Sequence, residues 1–83
     1  MTPQQMRAAR ALLGWSREVL AKKARIHHQT VTGFELLERQ CELSTLHKMR
    51  RALEVAGVEF IDERAASLDG GSGVRLRRSR GKR

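Results

Sequence analysis

The side chains of this 83-residue sequence best suited to metal binding or nucleophilic chemistry are His27, His28, His47 and Cys41. Their spacing supports neither. His27 and His28 are adjacent and share no helix face, and the sequence contains no CxxC or HExxH pattern. No nucleophile is spaced with a base and an orienting acid. A lone cysteine is more often packed or exposed than redox-active. The chain is therefore read as non-enzymatic, with no metal and no cofactor. What remains is hydrogen-bonding and cationic chemistry. Ser16, Arg17, His28, Gln29 and Thr32 lie in one stretch, Arg10 and Arg39 flank it, and Arg75, Arg77, Arg78 and Arg80 follow far downstream. Such groups recognise a polar, anionic partner rather than transform a substrate.

The charge distribution points the same way. The formal net charge is +8, yet all nine acidic residues fall between Glu18 and Asp69. Val74 to Arg83 holds six cations and no acid, so the first 73 residues carry only +2. A nearly balanced body with a basic extension fits a domain set on DNA by a few chosen groups plus a diffuse electrostatic arm. The plainer reading of such a tail is solubility. A domain of this size buries only about 60% of its unfolded surface. Trp15, Phe34 and Phe60 are the only aromatic residues, so Leu, Val, Met and Ala must fill the core. A pocket for a small-molecule enzyme is not expected. The single cysteine excludes an intrachain disulfide and suggests a reducing compartment. No apolar run approaches a membrane span, and the first 13 residues are amphipathic rather than signal-like. A soluble cytoplasmic protein is expected, without a membrane partner.

The elements that must position these groups follow from caps and periodicity. Thr2 suits an N-cap and Pro3 the first helical position, where its missing N–H costs nothing. Met6, Ala9 and Leu13 share a face with Leu12 at its margin, and Gly14 suits the left-handed residue that ends a helix. Ser16 caps a short second helix, about Arg17 to Ala24, with Leu20 and Ala24 inward. Arg25 and Ile26 make a turn, His27 takes a capping position, and a third helix starts at His28 with Val31 and Phe34 inward. Ser44 is expected to cap a fourth helix reaching about Ala56, with Leu46, Met49 and Leu53 as its apolar stripe and Gly57 as its stop. Val58, Phe60 and Ile61 then read as a strand, and Val74 to Arg77 as a second alternating run beyond the Gly/Ser-rich stretch 69–73. The two runs pair either with each other or with a second copy of the chain.

The short helices between Ser16 and Phe34 carry the most specific signal. Ala21 stands where the first helix of a helix-turn-helix pair meets the second, and a small residue there permits close backbone approach. The caps, the small residue and the inward positions occur together within one motif's length, which periodicity alone does not require.

The stretches RAARALLGWS, VLAKKA, TVTGFE and STLHKMRRALEVAGVEFID resemble the Xre/Cro-type (phage-repressor-like) helix-turn-helix regulators. The resemblance runs from Arg7 to Ile61 and weakly on to Leu76. It implies a mainly α, compact repressor-like DNA-binding domain of four to five helices, with a short C-terminal β-strand or hairpin and a basic disordered tail. The implied divisions are a DNA-binding domain at 1–61, a hairpin or dimerisation extension at 58–77, and the tail at 78–83. Three departures stand out. Relatives usually have Gly where this chain has Arg25, Ser or Thr where it has His27, and a Gly/Pro loop where it has Leu36 to Leu43. Either the third helix runs longer here or the added leucines cover a partner surface.

In such a motif the second helix enters the major groove with its N-terminal residues toward base edges. Those are His28, Gln29 and Thr32. The Gln29 amide is able to accept from adenine N6 and donate to N7. His28 suits a guanine acceptor or a phosphate, and Thr32 a thymine methyl or a base edge. Gly33 falls where relatives often carry a long side chain. Ser16 and Arg17, at a helix N-terminus, suit a phosphate, and Arg39 suits the far side of the groove. Arg10 and Glu35 resemble a recurring ion pair of the family, one that aims Arg10 toward the DNA backbone. Arg75, Arg77, Arg78 and Arg80 add nonspecific affinity, whereas Lys22 and Lys23 read as solvated charges. The implied function is a dimeric, sequence-specific regulator on a pseudopalindromic operator. The rival is an antitoxin-like or protein-binding member, contacting a second protein through Leu36, Leu37 and the strand at Phe60. RNA is a weaker third option because stacking aromatics are nearly absent.

Overall fold

A computed structural model describes residues 1–61 and 73–77. These form four helices and a two-stranded sheet: α1 (Pro3–Leu13), α2 (Arg17–Ala24), α3 (His28–Leu37), α4 (Leu43–Val55), β1 (Val58–Ile61) and β2 (Gly73–Leu76). The class is mainly α with one antiparallel hairpin, at the four-helix end of the expected range. Arg78 and Arg80, with the expected disordered tail, lie outside the described residues.

The helix boundaries have local causes. Thr2 and Gln5 form a reciprocal capping box: the Gln5 N–H donates to Thr2 Oγ1 at 3.0 Å, and the Thr2 N–H donates to Gln5 Oε1 at 2.9 Å. Gly14, at φ 70°, closes α1 in the left-handed region. Ser16 Oγ accepts from the Val19 N–H at 3.1 Å and starts α2. Arg25 ends α2 at φ 59°, a conformation that costs a non-glycine residue about 1 kcal/mol. His27 precedes α3 without a side-chain capping bond.

One boundary differs from expectation. The N-cap of α4 is Glu42 rather than Ser44. The Leu46 N–H donates to the Glu42 carbonyl at 3.0 Å, which closes a first turn upstream of Ser44. Leu43 adds no burial to that turn, being 83% exposed, whereas Leu46 at its end packs at the core margin.

The core lies where the apolar stripes of all four helices converge with β1. Met6, Ala9, Leu20, Ala21, Val31, Met49, Leu53 and Val58 are buried there, and Trp15, Leu46 and Phe60 pack at its margin. Ala21 sits between α2 and α3, where its small side chain lets the two helices approach. An isolated hairpin is marginal in water, so β1 and β2 depend on the helices beneath them. They pair in the register Val58 to Leu76 and Phe60 to Val74, resting on α1 and α4. Gln5 provides the tie: its Nε2 donates to the carbonyls of Ile61 at 3.3 Å and Gly73 at 3.0 Å. The sequence pattern of α1 contains no sign of this bridge, because it joins residues far apart in the chain.

Candidate nucleic-acid interface

The turn Arg25–Ile26–His27 sets α3 against α2, and the Ile26 N–H donates to the Ala21 carbonyl at 3.0 Å. This brings the start of α3 beside the start of α2. Ser16, the cap of α2, and Arg17 and Glu18 from its first turn join His28 and Thr32 from α3 around a cleft of about 290 Å³. On the other flank of α3, Gln29 and Gly33 face Arg39 and Gln40 across a second cleft of about 320 Å³. His28 and Thr32 are four residues apart, as are Gln29 and Gly33, so each pair lies along one edge of the helix. Apart from Arg10, the sequence-derived reading and anchoring residues of this segment thus fall into two groups, one on each side of α3.

The second flank depends on the end of α3. Glu38 adopts φ 50°, and the Arg39 N–H then reaches back to the Gly33 carbonyl at 3.1 Å. That reversal lays the Arg39 stem over Gly33, where an added Cβ would stand 3.4 Å from Arg39 Cδ. The absent side chain at position 33 is therefore matched by the close approach of Arg39. The same reversal ends the helix at Leu37. Leu36 and Leu37 are left 50% and 60% exposed on the last turn. Cys41 lines the same cleft as Arg39, and burial pushes its thiol pKa up, away from nucleophilic chemistry.

Behind α3 stands a charge cluster larger than one pair. Glu35 is almost fully buried, with a side-chain exposure of 1%. Arg10 donates to both its carboxylate oxygens, Nε at 2.8 Å and Nη2 at 2.6 Å, and Arg10 Nη1 donates to the Trp15 carbonyl at 2.9 Å. This two-pronged geometry is the strong form of the guanidinium–carboxylate bond. Arg17 Nη1 and Arg7 Nε each lie 3.5 Å from Glu35 Oε2, and Arg7 Nη2 donates to the Glu35 carbonyl at 3.2 Å. Burial alone would raise the Glu35 pKa. The Arg10 hydrogen bonds and the charges of Arg10, Arg17 and Arg7 outweigh it, and the net displacement is downward. One carboxylate among three guanidiniums leaves the cluster cationic on the face where Arg17 opens α2. Sequence reading found Arg10 and Glu35 but missed Arg7. The available signal was its placement three residues before Arg10, on the same side of the helix.

Of the downstream arginines, Arg75 and Arg77 are engaged locally. Arg75 Nε donates to Glu59 Oε1 at 2.8 Å across the hairpin, and Arg77 Nη2 donates to the Glu54 carbonyl at 2.7 Å. Among the described residues, no group of three or more His, Cys, Asp or Glu is arranged to hold a metal ion. No described helix is long and apolar enough to cross a membrane.

The family model described as "Helix-turn-helix", of the Cro/C1 type, matches residues 6–60. No curated protein matches the chain. The matched span runs from the first core residue of α1 to Phe60 of β1 and includes both helices of the turn motif and the Arg10–Glu35 contact. The chain therefore belongs to the Cro/C1-type helix-turn-helix family of DNA-binding transcription regulators.

Proposed function

We propose that this protein is a sequence-specific regulator that reads the DNA major groove with α3. His28, Gln29 and Thr32 contact base edges, while Ser16 and Arg17 on one flank and Arg39 on the other hold phosphates. The observation that carries this reading is the pair of clefts flanking the first half of α3, each combining a base-reading candidate with an anchoring cation. Arg10 supports Arg17 and α3 through Glu35 rather than by free contact with DNA, because its side chain is only 14% exposed. Residues 1–61 form the DNA-binding unit, 58–77 a hairpin that serves dimerisation, and 78–83 a basic arm in which Arg78 and Arg80 add nonspecific affinity. Arg75 and Arg77 contribute less to that arm, being held by Glu59 and the end of α4. The protein acts as a homodimer in the cytoplasm on a two-fold operator, with half-sites about 34 Å apart.

Selection of bound sequences from random duplex DNA tests this directly. A two-fold symmetric motif is expected at physiological salt. Enrichment of no motif overturns the sequence-specific reading, and sedimentation showing one chain per site overturns the dimer.

A second reading, an antitoxin-like member that grips another protein, is favoured by the exposure of Leu36 and Leu37 at the end of α3. Under the DNA reading, Arg17→Ala and Gln29→Ala impair operator-dependent function while Leu37→Glu spares it. Under the second reading the pattern reverses.

A further inference from the structure

α2 and α4 enclose a trough of about 440 Å³ that none of the proposed DNA contacts lines. Its floor is apolar: Trp15 from the turn before α2, Ala24 at the end of α2, and Ala52 and Val55 on α4. Val55 is 68% exposed, a β-branched apolar side chain left in water. The α2 wall carries Lys23 and Arg25, and the α4 wall carries Lys48 and Arg51. No acidic residue among the described residues lines the trough, and none of these four cations has an ion-pair partner among them. Lys23 Nζ stands 5.7 Å from the centre of the Trp15 ring, so the cationic wall directly borders the apolar floor.

The α4 contribution runs from His47 to Ala56 at positions that fall on one continuous helix face. At 1.5 Å per residue this face is about 13 Å long, between two and three turns of a helix. We propose that the trough docks an acidic amphipathic helix of a partner protein. The partner's apolar row sits on Trp15, Ala52 and Val55, and carboxylates on its two flanks meet Lys23 and Arg25 on one side and Lys48 and Arg51 on the other. Charge complementarity selects this occupant, since two cationic walls around an apolar floor match a rod with one apolar stripe between two acidic ones. A phosphate backbone would satisfy the walls and leave the floor in water. A small apolar anion would satisfy the floor but be poorly enclosed, because the trough is widely open to solvent.

The experiment uses the full chain and two 15-residue helical peptides with leucines along one stripe, flanked on both sides by Glu in one peptide and by Lys in the other. Trp15 is the only tryptophan, so its emission reports occupancy of the trough. The acidic peptide is expected to give a saturable shift and the basic peptide none. Lys48→Glu with Arg51→Glu should weaken the acidic peptide at least tenfold, while Lys22→Glu, outside the trough, changes it by less than twofold. Both substituted residues are exposed, and an unchanged melting temperature verifies the fold. Equal binding of both peptides, or of neither, overturns the proposal. So does displacement of the acidic peptide by a mixed-sequence DNA duplex, which would make the walls a phosphate surface.

Discussion

Replacing Glu35 by Gln keeps the shape of the side chain but leaves Arg7, Arg10 and Arg17 facing one another without a counter-charge. Breaking a buried pair from one side costs about 3–5 kcal/mol. Arg7 and Arg17 are partly solvated, so a loss of about 2–3 kcal/mol is expected in chemical denaturation at neutral pH. The sign of the pH dependence follows from the lowered Glu35 pKa. Its contribution is fully present above the ordinary carboxylate pKa of about 4.3 and is lost as pH falls through the lower folded value. The gap between wild type and Glu35→Gln should therefore narrow on acidification below about pH 4. A gap that stays constant to low pH would show that ionised Glu35 is not what holds the cluster. The two flanks of α3 separate in a second measurement. Gln29→Ala should relax one base position per half-site, at about 1–3 kcal/mol of discrimination. Arg39→Ala should weaken all sequences alike and reduce the slope of log affinity against log salt by about one. A base-specific loss in Arg39→Ala would make that residue a reader.

At the scale of elements, one amide ties the hairpin to α1. Gln5 bridges the carbonyls of Ile61 and Gly73 from the first turn of α1. Gln5→Ala leaves both without this donor and also removes the acceptor of the Thr2 N–H in the capping box, and a loss of about 1–3 kcal/mol is expected in thermal or chemical unfolding. Hydrogen exchange should locate the loosening in the amides of β1 and β2 rather than in α2 and α3. Uniform loss of protection would mean that the hairpin and helices unfold as one unit. The turns show how differently legible these elements were. Thr2, Pro3, Gly14 and Ser16 mark their boundaries by local chemistry and stand where that chemistry expects them. The start of α4 was misread because Ser44 offers a good cap, whereas the backbone closes a turn from Glu42 that no side chain signals. Arg25 and Glu38 both hold left-handed turns without glycine, so neighbouring packing and hydrogen bonds must sustain a conformation their own side chains disfavour.

For the whole molecule, the separation of charge has a measurable consequence. Deleting residues 78–83 removes Arg78, Arg80, Lys82 and Arg83. If all four meet phosphates, the salt dependence of DNA binding should flatten by up to about 3.6 logarithmic units of slope. The selected motif should stay the same, because these cations read no bases. A changed motif would place the arm among the sequence-reading groups. What the sequence by itself determined is local or periodic: helix caps, the 3.6-residue spacing of Met6, Ala9, Leu20, Leu46, Met49 and Leu53, the small residue at Ala21, and the candidate readers at the start of α3. Each of these depends on neighbours within about one helical turn. The tertiary structure alone decided which distant groups meet. Arg7 and Arg17 converge with Arg10 on Glu35, Arg39 lies over Gly33, Gln5 joins α1 to both strands, and the cations of α2 and α4 line one apolar trough. The segment from Ser16 to Glu35 shows the division within itself. Its helices are written in local pattern, but the cationic setting of its first turn depends on a carboxylate 18 residues beyond Arg17 and on arginines from a different helix. Long-range ion pairs leave no periodic trace in a sequence, because only the packing of the helices brings their charges within reach.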